Sequence, residues 1–112
     1  MAICHLVMMR FAPGFLTDSY IAYTRRIYQE IAVSLPGIHS VKVYQNCMQR
    51  NGNFDLMVKM ELLASADLPV YLAHPRHLEF VESHAGQICG RASFDYDIEI
   101  DSEWSNCEYE KY

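Results

Sequence analysis

Residues 71–80 hold the groups best suited to chemistry, because Tyr71, His74 and His77 surround Pro75. Proline lacks an N–H and keeps the preceding residue out of the helical conformation, so one helix is predicted to end near residue 73 and a second to begin at Pro75. Helical spacing then places His77 in the first turn of the second helix, facing inward. The other residues predicted on this inner side are Val81, His84 and Ile88.

A histidine in the first turn of a helix lies near the positive end of the helix dipole, which disfavours its protonation. A neutral His77 can accept a proton, as a general base does. The alternative that stays open is a core histidine held by a backbone partner. His74, which Pro75 turns away from the helical face, is predicted to cap the second helix or to hold the segment in shape.

Apolar periodicity along the chain predicts the element order βαββαβ, an α+β domain with a four-stranded antiparallel sheet and helices on one face. The predicted elements are a strand over 3–11, a helix from Thr17 or Asp18 to Leu35, a strand over 38–45, a strand over 54–62, a helix from about 65 that Pro75 interrupts, and a strand over 93–100.

The first strand is apolar on both faces, with Cys4, Leu6 and Met8 on the face turned away from the helices. Tyr44 and Met57, from the second and third strands, are predicted to join them. An apolar sheet face without a cover is typical of an interface, so the sequence predicts a two-fold homodimer. The polar residues expected on the same face are Lys42, Lys59, Asp95 and Asp97.

The length of 112 residues and a hydrophobic content of 51% fit one domain, predicted to cover residues 1–101, with residues 102–112 as an extended tail. The formal charge of -5, with scattered Lys and Arg, argues against nucleic-acid binding. No apolar run approaches the roughly 20 residues that span a bilayer, and no signal peptide is recognisable. A cytoplasmic protein without membrane or nucleic-acid partners is therefore expected.

The cysteines are widely spaced and form no CxxC pair, so reduced thiols are predicted. Cys4 and Cys89 lie in apolar strand patterns and are expected to be buried and inert. His74 and His77 have metal-ligand spacing but no matching carboxylate, so neither a metal nor a cofactor is predicted.

Three features together resemble the stress-responsive dimeric A/B barrel family: the strand that carries His5, the Tyr-x-x-His-Pro-x-His-x-x-Phe segment, and the closing Phe94-Asp95-Tyr96 strand. The resemblance covers about residues 2–100. It implies a ferredoxin-like monomer and a dimer in which two sheets form an α/β barrel.

One plant member of that family is a polyketide cyclase whose pocket lies between sheet and helices. The resemblance implies that His77 is the general base and that Tyr71 binds the substrate, with His5 and Tyr28 at two further pocket positions. The closing of a ring by an aldol reaction needs a base and a donor that stabilises the enolate oxygen. Thr24 and its neighbour replace aromatic residues of the cyclase, so a more polar pocket is expected here.

Three hypotheses follow. In the first, the protein is a dimer that binds a small apolar or phenolic molecule without turnover, and the pocket is lined by His5, Tyr71, His74 and His77. In the second, it is a cofactor-free lyase or cyclase with His77 as base and Tyr71 or Tyr28 as donor. In the third, the histidines only support the core. A more distant resemblance to haem-degrading and quinol-oxidising monooxygenases leaves haem binding as a further alternative, which no particular residue favours.

Overall fold

The structure, a computed structural model, describes residues 2–98, and the predicted tail at 102–112 lies outside the described residues. The chain folds in the order βαββααβ, because the second helical segment consists of two short helices. The elements are β1 (Ile3–Phe11), α1 (Asp18–Ser34), β2 (Ile38–Gln45), β3 (Leu56–Leu62), α2 (Asp67–Leu72), α3 (Pro75–Ser83) and β4 (Ile88–Asp97).

The four strands form one antiparallel sheet in the order β2-β3-β1-β4. β1 is central and pairs with β3 on one side and β4 on the other. The fold is therefore the ferredoxin-like α+β arrangement that the resemblance implied. Its core lies between the sheet and α1, where Val58, Met60 and Ile31 have no exposed surface.

The sequence of α1 explains both of its ends. The Thr17 hydroxyl accepts the Tyr20 N–H at 3.2 Å and so caps the first turn. At the other end, Leu35 has extended backbone angles because it precedes Pro36, and the helix therefore stops at Ser34. The apolar stripe predicted for α1 is confirmed, since its buried residues are Ile21, Thr24, Ile27, Tyr28 and Ile31.

The interruption at Pro75 is also confirmed. His74 has extended backbone angles, and Pro75 occupies the first turn of α3. The second part of the helix is shorter than the pattern predicted, because it ends at Ser83 and Ile88 already belongs to β4. Ile88 therefore does not lie on the inner side of that helix, as had been expected.

The sheet face turned away from the helices, called here the open face, carries Leu6 and Met8 as predicted. The placement of Asp95 and Asp97 on this face was wrong, because they pair with His5 and Ile3 across the β1–β4 ladder. Cross-strand partners point to the same side of a sheet, so both aspartates face the helices. The open face carries the other set of β4 residues instead, including Phe94, which is 63% exposed.

The cysteines differ from each other in their surroundings. Cys4 is buried as predicted, whereas Cys89 is exposed near the start of β4, so the prediction of a buried Cys89 was wrong. The register shift between Arg10 and Phe11 interrupts the alternation here, so Cys89 lies between Ile88, which pairs with Phe11, and Arg91, which pairs with Met9. Within residues 2–98, no helix has the length and apolar character needed to cross a membrane.

Candidate functional site

A cavity of about 260 Å³ lies between strands β1 and β4 of the sheet and the helices α1, α2 and α3. One wall is the inner face of β1 and β4, and the opposite wall comes from the three helices. The lining residues are His5, Val7, Met9, Tyr28, Leu68, Tyr71, Leu72, His77, Phe80, Arg91, Ser93 and Asp95. Four of the five predicted site residues, His5, Tyr28, Tyr71 and His77, therefore share one cavity, and they are called the cavity cluster below.

His77 faces the interior, as predicted, with 8% of its surface exposed. Its Nδ1–H donates to the Leu72 carbonyl oxygen at 2.9 Å, which leaves Nε2 as the nitrogen that carries the lone pair. Nε2 has no hydrogen-bond partner in the described part of the chain, and no side-chain nitrogen or oxygen fully buried there lacks one. Nε2 is therefore accessible from the cavity.

Burial lowers the pKa of His77 below its usual value of 6.5, while the hydrogen bond to Leu72 acts in the opposite direction. The positive charge of Arg91 lowers it further, with smaller electrostatic contributions from His5 and His74. The direction agrees with the expectation from the helix dipole, but the main cause is burial. The imidazole is consequently neutral near pH 7 and can accept a proton or a hydrogen bond.

Tyr28 and Tyr71 form a buried pair whose hydroxyl oxygens are 2.7 Å apart. One hydroxyl donates to the other, so the pair keeps a single O–H for a third group. Burial raises the pKa of Tyr28 to about 12, and burial raises the pKa of Tyr71 further, assisted by the neighbouring Tyr28. Both hydroxyls therefore stay protonated and act as donors. The Tyr71 ring contacts the His77 ring with centroids 4.6 Å apart.

His5 lies on β1 across the cavity from α2. Its Nδ1 is 2.5 Å from Oδ1 of Asp95, its neighbour on β4, and its ring meets Tyr71 edge-on with centroids 6.0 Å apart. The Asp95 carboxylate accepts this hydrogen bond and so fixes the orientation of the imidazole. The pair holds a polar group in place at one end of an otherwise apolar wall.

His74 is the predicted site residue that does not line the cavity. Its Nδ1 accepts the Arg76 N–H at 3.0 Å, so the side chain caps α3. Its other nitrogen, Nε2, is 2.8 Å from the Ser34 hydroxyl at the end of α1. The prediction that His74 caps the restarted helix is confirmed, and no contact in the structure supports a substrate-binding role for it.

Three polar residues of the cavity, Arg91, Ser93 and Asp95, were missed by the sequence analysis. They follow each other at every second position of β4, opposite Met9, Val7 and His5. A signal for them was present in the chain. The open face of β1 is apolar, so the neighbouring strand β4 could have been expected to place its apolar residues on the same face. The polar residues that alternate with them would then face inward.

A second histidine cluster lies beyond Phe80 and is called the packed cluster, with Phe11, Tyr20, Ser83 and His84 as its members. The Ser83 hydroxyl donates to the Phe80 carbonyl oxygen, and the Tyr20 hydroxyl is 2.6 Å from Ser83 and 3.0 Å from His84 Nδ1. The His84 ring is 2% exposed and meets the rings of Phe11 and Phe80 edge-on. His84 does not line the cavity.

A larger depression of about 550 Å³ lies between the loop after β1 and the loop after β2, but no His, Tyr or Cys lines it. Arg10 in this depression already donates to the carbonyl oxygens of Gly52 and Asn53. Within residues 2–98, no three side chains of His, Cys, Asp or Glu are grouped to hold a metal ion. The candidate site is therefore the smaller cavity around His77.

Solved structures from several organisms have the same fold. A dimeric ferredoxin-like protein of unknown function from Thermobifida fusca matches with a TM-score of 0.73 and 17% identity, over 88% of this chain and 92% of that chain. A dimeric ferredoxin-like protein of unknown function from Jannaschia sp. CCS1 matches with a TM-score of 0.72 and 20% identity, over 88% of this chain and 100% of that chain. At these identities the likeness shows the fold.

A hydroxynitrile lyase from Passiflora edulis also matches, with a TM-score of 0.68 and 17% identity, over 85% of this chain and 91% of that chain. No curated protein sequence matches the chain. The profile of one family, described as "Stress responsive A/B Barrel Domain", matches residues 3–98. Since this range includes every strand and helix described above, the chain belongs to the stress responsive A/B barrel domain family.

Proposed function

We propose that the protein binds a small apolar or phenolic molecule in the cavity between the sheet and the helices. The observation that carries this proposal is the open volume next to the accessible Nε2 of His77. A histidine with a purely structural role is expected in solid packing with both nitrogens satisfied. The cavity is slightly smaller than the 300–1,000 Å³ or so of drug-sized sites, which favours a ligand of about one ring.

The polar groups of the cavity are arranged for a ligand that both donates and accepts hydrogen bonds. His77 Nε2 accepts from a ligand hydroxyl, and the Tyr28–Tyr71 pair donates its remaining O–H to a ligand oxygen. Val7, Met9 and Leu68 supply apolar walls. A few polar groups in a mainly apolar cavity fix the orientation of a small molecule, and most of the contact area stays hydrophobic.

Binding is tested by titrating the protein with single-ring phenols and following the His77 ring protons by NMR. We expect saturable shifts at His77 in the wild type, and, because His77→Ala lacks this ring, calorimetry should show the loss of binding in the variant. The matched control is His39→Ala, which changes an exposed histidine outside the cavity and is expected to bind as the wild type does. Equal binding by the wild type and the His77→Ala variant would place the ligand elsewhere and refute the proposal.

We further propose that the protein is a homodimer in the cytoplasm. The location is retained from the sequence analysis, and the dimer is supported by the apolar open face and by neighbours described as dimeric. Phe94→Glu puts a charge on the open face next to Leu6 and is expected to yield a monomer in sedimentation. Val33→Glu, at a position 90% exposed on α1, is the control that should remain dimeric.

A second candidate function, cofactor-free lyase or cyclase chemistry, is favoured by the way His77 is held. The hydrogen bond from Nδ1 to Leu72 directs the basic Nε2 at a bound molecule, as a general base requires. In such a reaction Nε2 takes a proton from a C–H or O–H group, and the tyrosine pair donates to the oxygen on which negative charge develops. The structural neighbour described as a hydroxynitrile lyase adds support.

Catalysis differs from binding in that a product forms. The test incubates the protein with mandelonitrile and with short polyketide-like substrates and separates the products by chromatography. We expect turnover to fall by about 10²–10⁴-fold in His77→Ala, because that is the usual contribution of a general base. No product above the buffer background with any of these substrates, combined with normal binding of phenols, supports the binding function alone.

A further inference from the structure

The inner face of β4 holds two opposite charges in very different situations. Asp95 is paired with His5, as described above, whereas the guanidinium of Arg91, an exposed residue at the mouth of the cavity, has no hydrogen-bond acceptor and no ion-pair partner in residues 2–98. The two residues are four positions apart on one strand, which separates them by about 13 Å. The cavity therefore has a neutralised end at Asp95 and a cationic end at Arg91.

Two other arginines have the partners that Arg91 lacks. The guanidinium of Arg10 donates to two carbonyl oxygens, and that of Arg76 pairs with the carboxylates of Glu30 and Glu79. The charge of Arg91 is close enough to the cavity to act on Tyr28, Tyr71 and His77. An always-charged group with five N–H donors thus lies beside the cavity without an acceptor from residues 2–98.

The geometry points to Arg91, with the Ser93 hydroxyl next to it on the same face, as a subsite that binds the carboxylate of the ligand. This inference rests on the proposed function and deepens it by naming the ligand class, a small aromatic carboxylate. A guanidinium matches a carboxylate with two parallel hydrogen bonds, which a single ammonium group or a neutral donor cannot reproduce.

The remainder of the cavity fits the rest of such a molecule. The ring packs between Val7 and Phe80, and a hydroxyl at the far end of the ring reaches His77 Nε2 or the tyrosine pair. The negative charge of Asp95 does not oppose this orientation, because that carboxylate lies at the other end of β4 and is bonded to His5. The ligand is thus held with its acid group toward Arg91 and its apolar ring between the sheet and α3.

The experiment compares two probes of nearly the same shape, 4-hydroxybenzoate and 4-hydroxybenzamide, by calorimetry and by NMR of the His77 ring on the whole chain. We expect the carboxylate to bind at least about tenfold more tightly than the amide, as charge-assisted hydrogen bonds do. Arg91→Leu should remove this preference because it weakens the binding of the carboxylate but not that of the amide. Arg91→Lys should keep part of the preference. Arg50→Leu, at an exposed position outside the cavity, should change neither affinity.

The outcomes separate this inference from the function on which it rests. If both probes shift the His77 resonances with equal affinity in the wild type and in Arg91→Leu, the carboxylate subsite is refuted and the binding function stands. If neither probe nor any neutral phenol shifts them, both are refuted. A carboxylate that binds without affecting His77 lies outside the cavity and also refutes the subsite. Thermal melting of both Arg91 variants checks that they are folded.

Discussion

The histidines at 77 and 84 have the same kind of neighbours and differ in what surrounds them. Each lies close to a tyrosine, and burial lowers the pKa of each. His77 borders an open cavity and keeps Nε2 accessible. His84 lies in the packed cluster, where Phe11 and Phe80 contact its ring edge-on and the Tyr20 hydroxyl is within hydrogen-bond distance of its Nδ1.

The difference shows that a histidine next to a tyrosine does not by itself define a site. A lowered pKa results from burial in both places, so it identifies the desolvated imidazoles without separating the functional one. The feature that separates them is the unfilled volume beside His77, because Nε2 of His84, like that of His77, has no hydrogen-bond partner within residues 2–98. The following predictions test how far the two clusters are independent.

The largest loss of stability is expected from substitution of Phe80, which lies between the two clusters. It is 1% exposed, lines the cavity and packs edge-on against His84 and Tyr28. Phe80→Ala leaves a void that joins both clusters, and we expect it to lower the free energy of unfolding by about 3–5 kcal/mol. Urea denaturation followed by circular dichroism measures this change.

The control for this prediction is Phe80→Leu, which keeps most of the volume and should lower the stability by less than about 1.5 kcal/mol. A loss below about 1 kcal/mol in Phe80→Ala would show that the wall between the clusters collapses easily. The two sites would then not be structurally separate.

The packed cluster should dominate the loss of stability at acidic pH. Burial lowers the pKa of His84 from 6.5 to about 4, with smaller electrostatic contributions from Arg91 and His77. The unfolded chain therefore takes up a proton at His84 before the folded protein does. This stability is fully present above pH 6.5 and is lost as the pH falls toward 4; at pH 5 the loss is about 2 kcal/mol.

His84→Phe removes the group that takes up this proton, so the free energy of unfolding should differ less between pH 7.5 and pH 5 than in the wild type. Urea titrations of both proteins at the two pH values give the comparison, and carboxylates that titrate below pH 5 affect both proteins equally. An unchanged pH dependence in His84→Phe would assign the acid sensitivity to other groups, first of all to His77.

The tyrosine pair of the cavity cluster should show energetic coupling. Tyr71→Phe leaves the buried Tyr28 hydroxyl without its partner, which is expected to lower the stability by about 1–1.5 kcal/mol. Tyr28→Phe should have a similar effect, and the double variant should lose less than the sum. Urea denaturation of all four proteins measures this cycle, with Tyr44→Phe on the open face as the control. Strict additivity would mean that water already satisfies both hydroxyls.

Most of the fold could be predicted because each element has a local cause in the sequence. The apolar stripe and Thr17 define α1, and Pro75 defines the break between α2 and α3. The end of α3 was overestimated, since periodicity continues through residues 84–88 although the backbone turns after Ser83. Helical periodicity predicts which side of a helix is apolar, but it does not predict the residue at which the helix ends.

The candidate site was predictable only where a motif marks it. The segment around Pro75 led to Tyr71 and His77, and the family resemblance added His5 and Tyr28. The polar side of β4 was assigned to the wrong face, because polar residues were taken as outward-facing on a sheet whose outer face is itself apolar. Only the pairing register of β1 and β4 decides this, and it depends on contacts far apart in the chain.

The smallest loss of stability is expected from substitution of His74. This substitution tests whether the segment around Pro75 supports the cavity cluster from outside the cavity. His74→Ala removes the cap of α3 and the contact with Ser34, so the stability should fall by about 0.5–1 kcal/mol in urea denaturation. His74→Asn restores a side-chain cap and should recover most of this loss. Since His74 does not line the cavity, phenol affinity should change less than about twofold in His74→Asn. A strong loss of affinity in this variant would show that the ring of His74 binds the ligand directly.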